Sequence, residues 1–146
     1  MTKAAVERVE PDPWLARAFL DSARSFVDDG ASERNSDASR QLLLHSAAIA
    51  ACDAVLAING RRVTGSDGGH KLRLEAVEDL LPNASDGLFL RLDDARMARN
   101  EASYAAGLVP AVSVQEALEA VRELIDLAET HVAPHLPPYL EGDTRG

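Results

Sequence analysis

The chain reads as all-α, an up-and-down helical bundle of four long helices plus one short helix. Three observations predict it. The run from Leu42 to Ile58 is interrupted by polar residues only at His45, Ser46 and Asp53, the pattern of a helix surrounded by other helices or seated at a dimer interface. Start and stop signals at Asp12-Pro13, Gly30, Asn59-Gly60, Pro82, Gly107, Pro110 and Pro134 divide the rest into helix-sized pieces. No convincing strand run, internal repeat or low-complexity segment interrupts them.

Residues 1–11 are polar and expected to be a flexible N-terminus. Asp12 as N-cap and Pro13 at the first helical position open helix one, which Gly30 is expected to end. Trp14 anchors its start, and Leu15, Ala18, Phe19, Ser22, Ala23 and Phe26 share one side. Ser36 or Asp37 caps helix two, which stops at Asn59-Gly60. Residues 61–69 read as a loop with three glycines and no phosphate-cradling pattern. A short third helix covers 69–81, with His70, Leu74, Val77 and Leu81 on one face, so that His70 points towards the bundle. Helix four starts near Ser85 and closes at Gly107. The capping box Ser113-Val-Gln-Glu116 opens helix five, whose stripe runs from Val114 through Val121 and Ile125 to Val132. The bundle spans 12–138, and 139–146 form a tail.

Composition bounds the function. A chain of 146 residues is one domain with a real core, and at 4% aromatic that core must come from Leu, Val, Ile and Ala. A net charge of −9 argues against sequence-blind nucleic-acid binding, which needs many cationic contacts to phosphates. It permits a local cationic site, because screening confines fields to about 10 Å. Cys52, the single cysteine, lies in an apolar run, so there is neither an internal disulfide nor a zinc pattern. No signal segment or run of membrane-spanning length is evident, and a reduced cytoplasm is the expected compartment. No metal and no cofactor is implied.

The stretch that carries chemistry is Arg96-Met-Ala-Arg99-Asn100-Glu101-Ala-Ser103-Tyr104 in helix four. Arg96, Arg99, Asn100, Ser103 and Tyr104 fall within an arc of about 140°. That arc is cationic and otherwise uncharged, with hydrogen-bonding groups suited to phosphate; guanidinium matches phosphate oxygens in shape and charge. The plainer reading is a polar helix edge whose arginines pair with Asp93, Asp94 or other acids. In helix two, His45, Ser46 and Asp53 share one side within roughly 100°. A carboxylate among such apolar neighbours needs a partner, and Arg96 or Arg99 is the expected one. The plainer readings are a structural ion pair for Asp53, a packed histidine for His45, and a capping or packing residue for His70.

Three features together resemble the HEPN superfamily over about residues 12–135: the alanine-rich Gln41–Ala57 helix, His70-Lys71 leading a short helix, and Arg99-Asn100-x-x-x-Tyr104 late in a helix followed by an amphipathic closing helix. The resemblance implies a helical-bundle homodimer in which two copies of the motif face each other across a cleft that cleaves RNA without metal. An arginine holds the scissile phosphate, and a histidine four to six residues later moves protons. Many such proteins are toxins with a cognate antitoxin; others bind nucleotides or proteins without catalysis. Here Arg99 and Asn100 match the motif, but Tyr104 stands where the histidine belongs. Phenol titrates near 10 and is a poor proton acceptor at neutral pH. Two replacements are open. Tyr104 could donate a proton beside Arg99, or His70 could enter the cleft from its own helix or from a second subunit.

The expected function is an RNA- or nucleotide-phosphate-binding cleft with metal-independent ribonuclease or toxin-type activity. In it Arg99 and Arg96 hold phosphate, Asn100 orients it, Tyr104 and His70 handle protons, and Ser103, Asp53 and His45 complete the site. The alternatives are a non-catalytic binding module, and a partner-binding homodimer, with an antitoxin role suggested by the acidic surface.

Overall fold

The computed structural model describes residues 2–65, 68–104 and 111–137; within these, the side chains of 98–104 and 111–113 lie outside the description. The chain is mostly helical, with one small sheet. In chain order the elements are β1 (Ala5–Arg8), α1 (Pro13–Ala31), α2 (Asp37–Ile58), β2 (Arg61–Thr64), α3 (Gly69–Leu80), α4 (Leu88–Tyr104), α5 (Ala111–Val132) and a short 3-10 turn, Ala133–His135.

Helix α1 begins where the Asp12 carboxylate accepts the Leu15 N–H at 3.0 Å, and it presents Ala16, Leu20, Ala23, Val27 and Gly30 to the core at alternating steps of four and three. Small residues at every seventh position of that seam let α2 come close. Gly30 therefore packs rather than stops the helix, which continues to Ala31. A Cβ on Gly30 would lie 2.9 Å from the Leu44 side chain. The stop is supplied from outside: the Arg40 Nε of α2 donates to the Gly30 carbonyl at 2.9 Å, and the Ser32 N–H bonds Asp29 O. Ser36, rather than Asp37, caps α2 through the Ser39 N–H at 3.1 Å.

Helix α2 is the central element, touching α1, α3, α4, α5 and β2. Its 22 residues, Asp37–Ile58, are long and apolar enough to cross a membrane by length and composition, so the expectation that no run reaches that length does not hold. Its burial under four other helices accounts for the same composition. Helix α5 closes the core with Val114, Leu118, Val121, Leu124, Ile125, Ala128 and Val132. Arg17 and Arg24 of α1 reach Glu129 and Asp126 of α5 at 3.1 and 3.2 Å.

The expected flexible N-terminus and the expected glycine loop are instead the two strands of an antiparallel ribbon. Ala5 pairs with Thr64, and Arg8 with Arg61. Neither segment alternates strongly enough to announce itself; what forms the ribbon is the α2 stop. Gly60, at φ +70°, turns the chain back, its carbonyl accepts the Val9 N–H at 2.9 Å, and Asp12 N donates to Ala57 O at 3.0 Å. A Cβ on Gly60 would sit 2.8 Å from the Val9 carbonyl oxygen. Helix α4 starts at Leu88, three residues after Ser85. Ser85 is held by the Glu123 carboxylate of α5, which accepts its N–H at 3.0 Å and its hydroxyl at 2.9 Å. These bonds hold the Glu123 carboxyl below its ordinary range, with Arg91 adding to the effect.

Candidate functional site

Where α2, α3 and α4 converge, two histidines meet. His45, from the first half of α2, and His70, from the first turn of α3, bring their Nε2 atoms to 3.2 Å, with the rings edge-on at 68°. A bond of this kind takes one hydrogen between the two nitrogens, so one ring donates and the other accepts, according to tautomer. The contact borders a dimple of about 20 Å³, room for one water, which Cys52, Leu92, Arg73 and Arg96 also line.

The backbone explains why these side chains face each other. Gly68, in the left-handed region at φ +81°, turns the chain from the ribbon into α3, and Gly69 starts the helix buried against Arg73, whose Nη1 lies 3.0 Å from where a Cβ would stand. His70 thus enters in the first turn of α3, where backbone N–H groups and the helix dipole favour anions. His45 lies on the α2 side that also carries Cys52 and Asp53.

Two guanidiniums flank the histidines, each with its own carboxylate. Arg73 Nε binds Asp53 Oδ1 at 2.8 Å, between side chains 19% and 18% exposed. Arg96 Nε binds Asp93 Oδ1 at 2.8 Å, one turn earlier on α4. The expectation that Asp53 pairs with Arg96 is thereby corrected: Asp53 binds Arg73, on α3, and Arg96 binds Asp93, while the Arg99 side chain, the other expected partner, lies outside the described residues. The reason is packing. Arg73 lies one turn beyond His70, so the contact that brings the two histidines together also carries Arg73 to Asp53. Arg73 was missed as a site residue. The available signal was its spacing of three from His70, matched by two polar positions on one side of α2.

Burial pushes the Cys52 thiol up to about 12, with the neighbouring Asp53 charge adding to the shift and Arg73 opposing it. It is a packed hydrophobe beside the histidines and no thiolate nucleophile at neutral pH. Among the described residues no group of three or more metal-ligating side chains converges. The chemistry this arrangement offers is proton transfer by paired imidazoles next to two cations.

Of the residues expected in the site, the fold brings together His45, His70 and Arg96, with Asp53 reached through Arg73. The side chains of Arg99, Asn100, Ser103 and Tyr104 lie outside the described residues. No family model, curated protein or solved structure matches this chain.

Proposed function

We propose that the chain is a HEPN-like protein whose α2–α3–α4 cleft binds the phosphate of RNA or of a nucleotide and, when it cuts, does so as a metal-independent endoribonuclease. The observation that carries this reading is the His45–His70 contact at a dimple lined by Arg73 and Arg96. It supplies the imidazole that the Arg99-to-Tyr104 spacing lacks, from another helix.

In the proposed reaction, the neutral imidazole of the pair takes the proton from a ribose 2′-OH. The 2′-oxygen then forms a bond to phosphorus, the bond from phosphorus to the 5′-oxygen breaks, and the protonated imidazole gives its proton to that leaving oxygen. The products are a 2′,3′-cyclic phosphate and a free 5′-OH. Arg96, with Arg99 three residues on in the sequence, would hold the phosphate oxygens, Asn100 and Ser103 would orient them, and Tyr104 would donate a proton or stack on a base. Four long helices in up-and-down order would place this stretch across from its copy in a homodimer. The proposed setting is the cytoplasm, with a cognate toxin–antitoxin partner.

A second reading, binding without cleavage, is favoured by one observation: Arg73 and Arg96 each carry a carboxylate partner, which leaves less net charge for a scissile phosphate. Incubating labelled RNA with the protein in EDTA separates the two. Cleavage that falls at least a hundredfold in His70→Ala and in Arg99→Ala supports the nuclease. Thermal stabilisation by nucleotides without cleavage supports the binding module, and neither effect in the wild type sinks both.

A further inference from the structure

A second cavity lies away from the histidines. It is a cleft of about 400 Å³ on the other side of Arg73, between the ribbon and the first two helices. That is within the size range of small-molecule sites. Its apolar wall is Leu15 and Phe19, one turn apart on α1, with Ala57 of α2 and Val63 of β2. Leu15 is 44% exposed there, a large apolar side chain with no packing partner to cover it fully. The ribbon forms the opposite rim and carries Arg61 and Arg62.

The charges around the cleft are unequal in how far they are already engaged. Asp53 is held by Arg73, Asp12 accepts the Leu15 N–H, and Arg62 binds Glu7 at 2.8 Å. Glu10 stands exposed at the rim. Arg61 differs. Its Nη1 donates to the Asn59 carbonyl at 3.3 Å, and among the described residues it has no carboxylate within ion-pair distance. That single bond fixes the guanidinium at the mouth of an apolar slot with donors to spare.

We propose that this cleft is a binding site for a small organic anion, with a flat apolar body against Leu15, Phe19, Ala57 and Val63 and a carboxylate or phosphate head on Arg61. Both heads offer paired anionic oxygens that accept from the planar guanidinium donor, and their competition is part of the test. The site is separate from the histidine dimple, which shares only Arg73 with it.

The probe is 1-anilinonaphthalene-8-sulfonate, an aromatic anion whose fluorescence rises in apolar surroundings, titrated into the native full chain. Saturable one-to-one binding is expected. Arg61→Gln and Leu15→Glu should each weaken it at least tenfold, the second by placing a carboxylate in the slot at a position too exposed to threaten the fold. Lys71→Gln, an exposed cation outside the cleft, should leave it unchanged. 1-Naphthoate and 1-naphthyl phosphate should displace the probe, and the stronger of the two identifies the preferred head. Naphthalenemethanol and inorganic phosphate should each need at least tenfold more. The proposal is overturned if binding does not saturate, if both variants bind as wild type at unchanged Tm, or if inorganic phosphate alone competes as well as the naphthyl anions.

Discussion

Replacing Asp53 by alanine removes the partner of a guanidinium that the fold holds four-fifths buried, the two side chains being 19% and 18% exposed. Unit charges about 4 Å apart interact by about 1 kcal/mol in water and about 4 kcal/mol at the dielectric typical near a protein surface. Fully exposed pairs measure roughly 0.2–1 kcal/mol, and breaking a fully buried one costs roughly 3–5 kcal/mol. This pair lies between those limits, with its 2.8 Å hydrogen bond adding directionality. Asp53→Ala is therefore expected to destabilise by about 2 kcal/mol, a fall in Tm of roughly 4–8 °C for a domain of this size. In a double-mutant cycle with Arg73→Ala, followed by urea unfolding, the coupling should be about 1.5 kcal/mol. The cycle of Asp53→Ala with Arg96→Ala should give coupling near zero, since Arg96 has its own partner in Asp93. Coupling below about 0.5 kcal/mol for the Arg73 cycle, or a larger value for the Arg96 cycle, would refute the assignment.

Gly60→Ala should cost about 2–3 kcal/mol, because it combines a left-handed φ of +70° with a Cβ 2.8 Å from a backbone oxygen that cannot swing away; a Tm within 1–2 °C of wild type would contradict this. His131 has its pKa lowered by burial and by the charge of His135, and its Nε2 accepts from Asn59 Nδ2 at 2.7 Å, so the folded state binds the proton less readily than the unfolded one. The stabilisation is complete above about pH 6.5 and declines as pH falls from there through the lower folded-state value, so urea midpoints should drop between pH 7 and 5, and His131→Gln should flatten that slope. Cys52 should resist a thiol reagent such as dithionitrobenzoate at pH 8 in the native protein and react at once in denaturant; fast native labelling would contradict its burial.

Much of the helical pattern is local and could be read from residues a few positions apart. Asp12-Pro13 and Asn59-Gly60 mark helix ends by chemistry that needs only the neighbouring turn, and the α5 stripe from Val114 to Val132 shows its buried face through spacing alone. Gly30 shows the limit of such reading. Glycine after an apolar run usually means a stop, but here it marks a close helix contact, a property of Leu44 across the interface rather than of the chain around residue 30. The ribbon escaped notice for a related reason. Ala5–Arg8 and Arg61–Thr64 are weak strands individually, and they pair because α1 and α2 bring their flanks together.

The candidate site divides in the same way. Residue types and helical spacing were enough to single out His45, Asp53, His70 and Arg96 as polar groups on faces that otherwise bury apolar atoms. Which of them meet was decided by the crossing of α3 over α2. That crossing joins two imidazoles 25 residues apart and gives Asp53 to Arg73, while Arg96 of α4 takes Asp93. Periodicity within one helix fixes the direction in which a side chain leaves the axis. The distance to a group on another helix depends on how both pack against the shared core, so the histidine pair, the Asp53–Arg73 ion pair and the cleft beside them belong to the tertiary structure alone, whereas the Arg96–Asp93 pair, three residues apart on α4, is local and legible in the sequence.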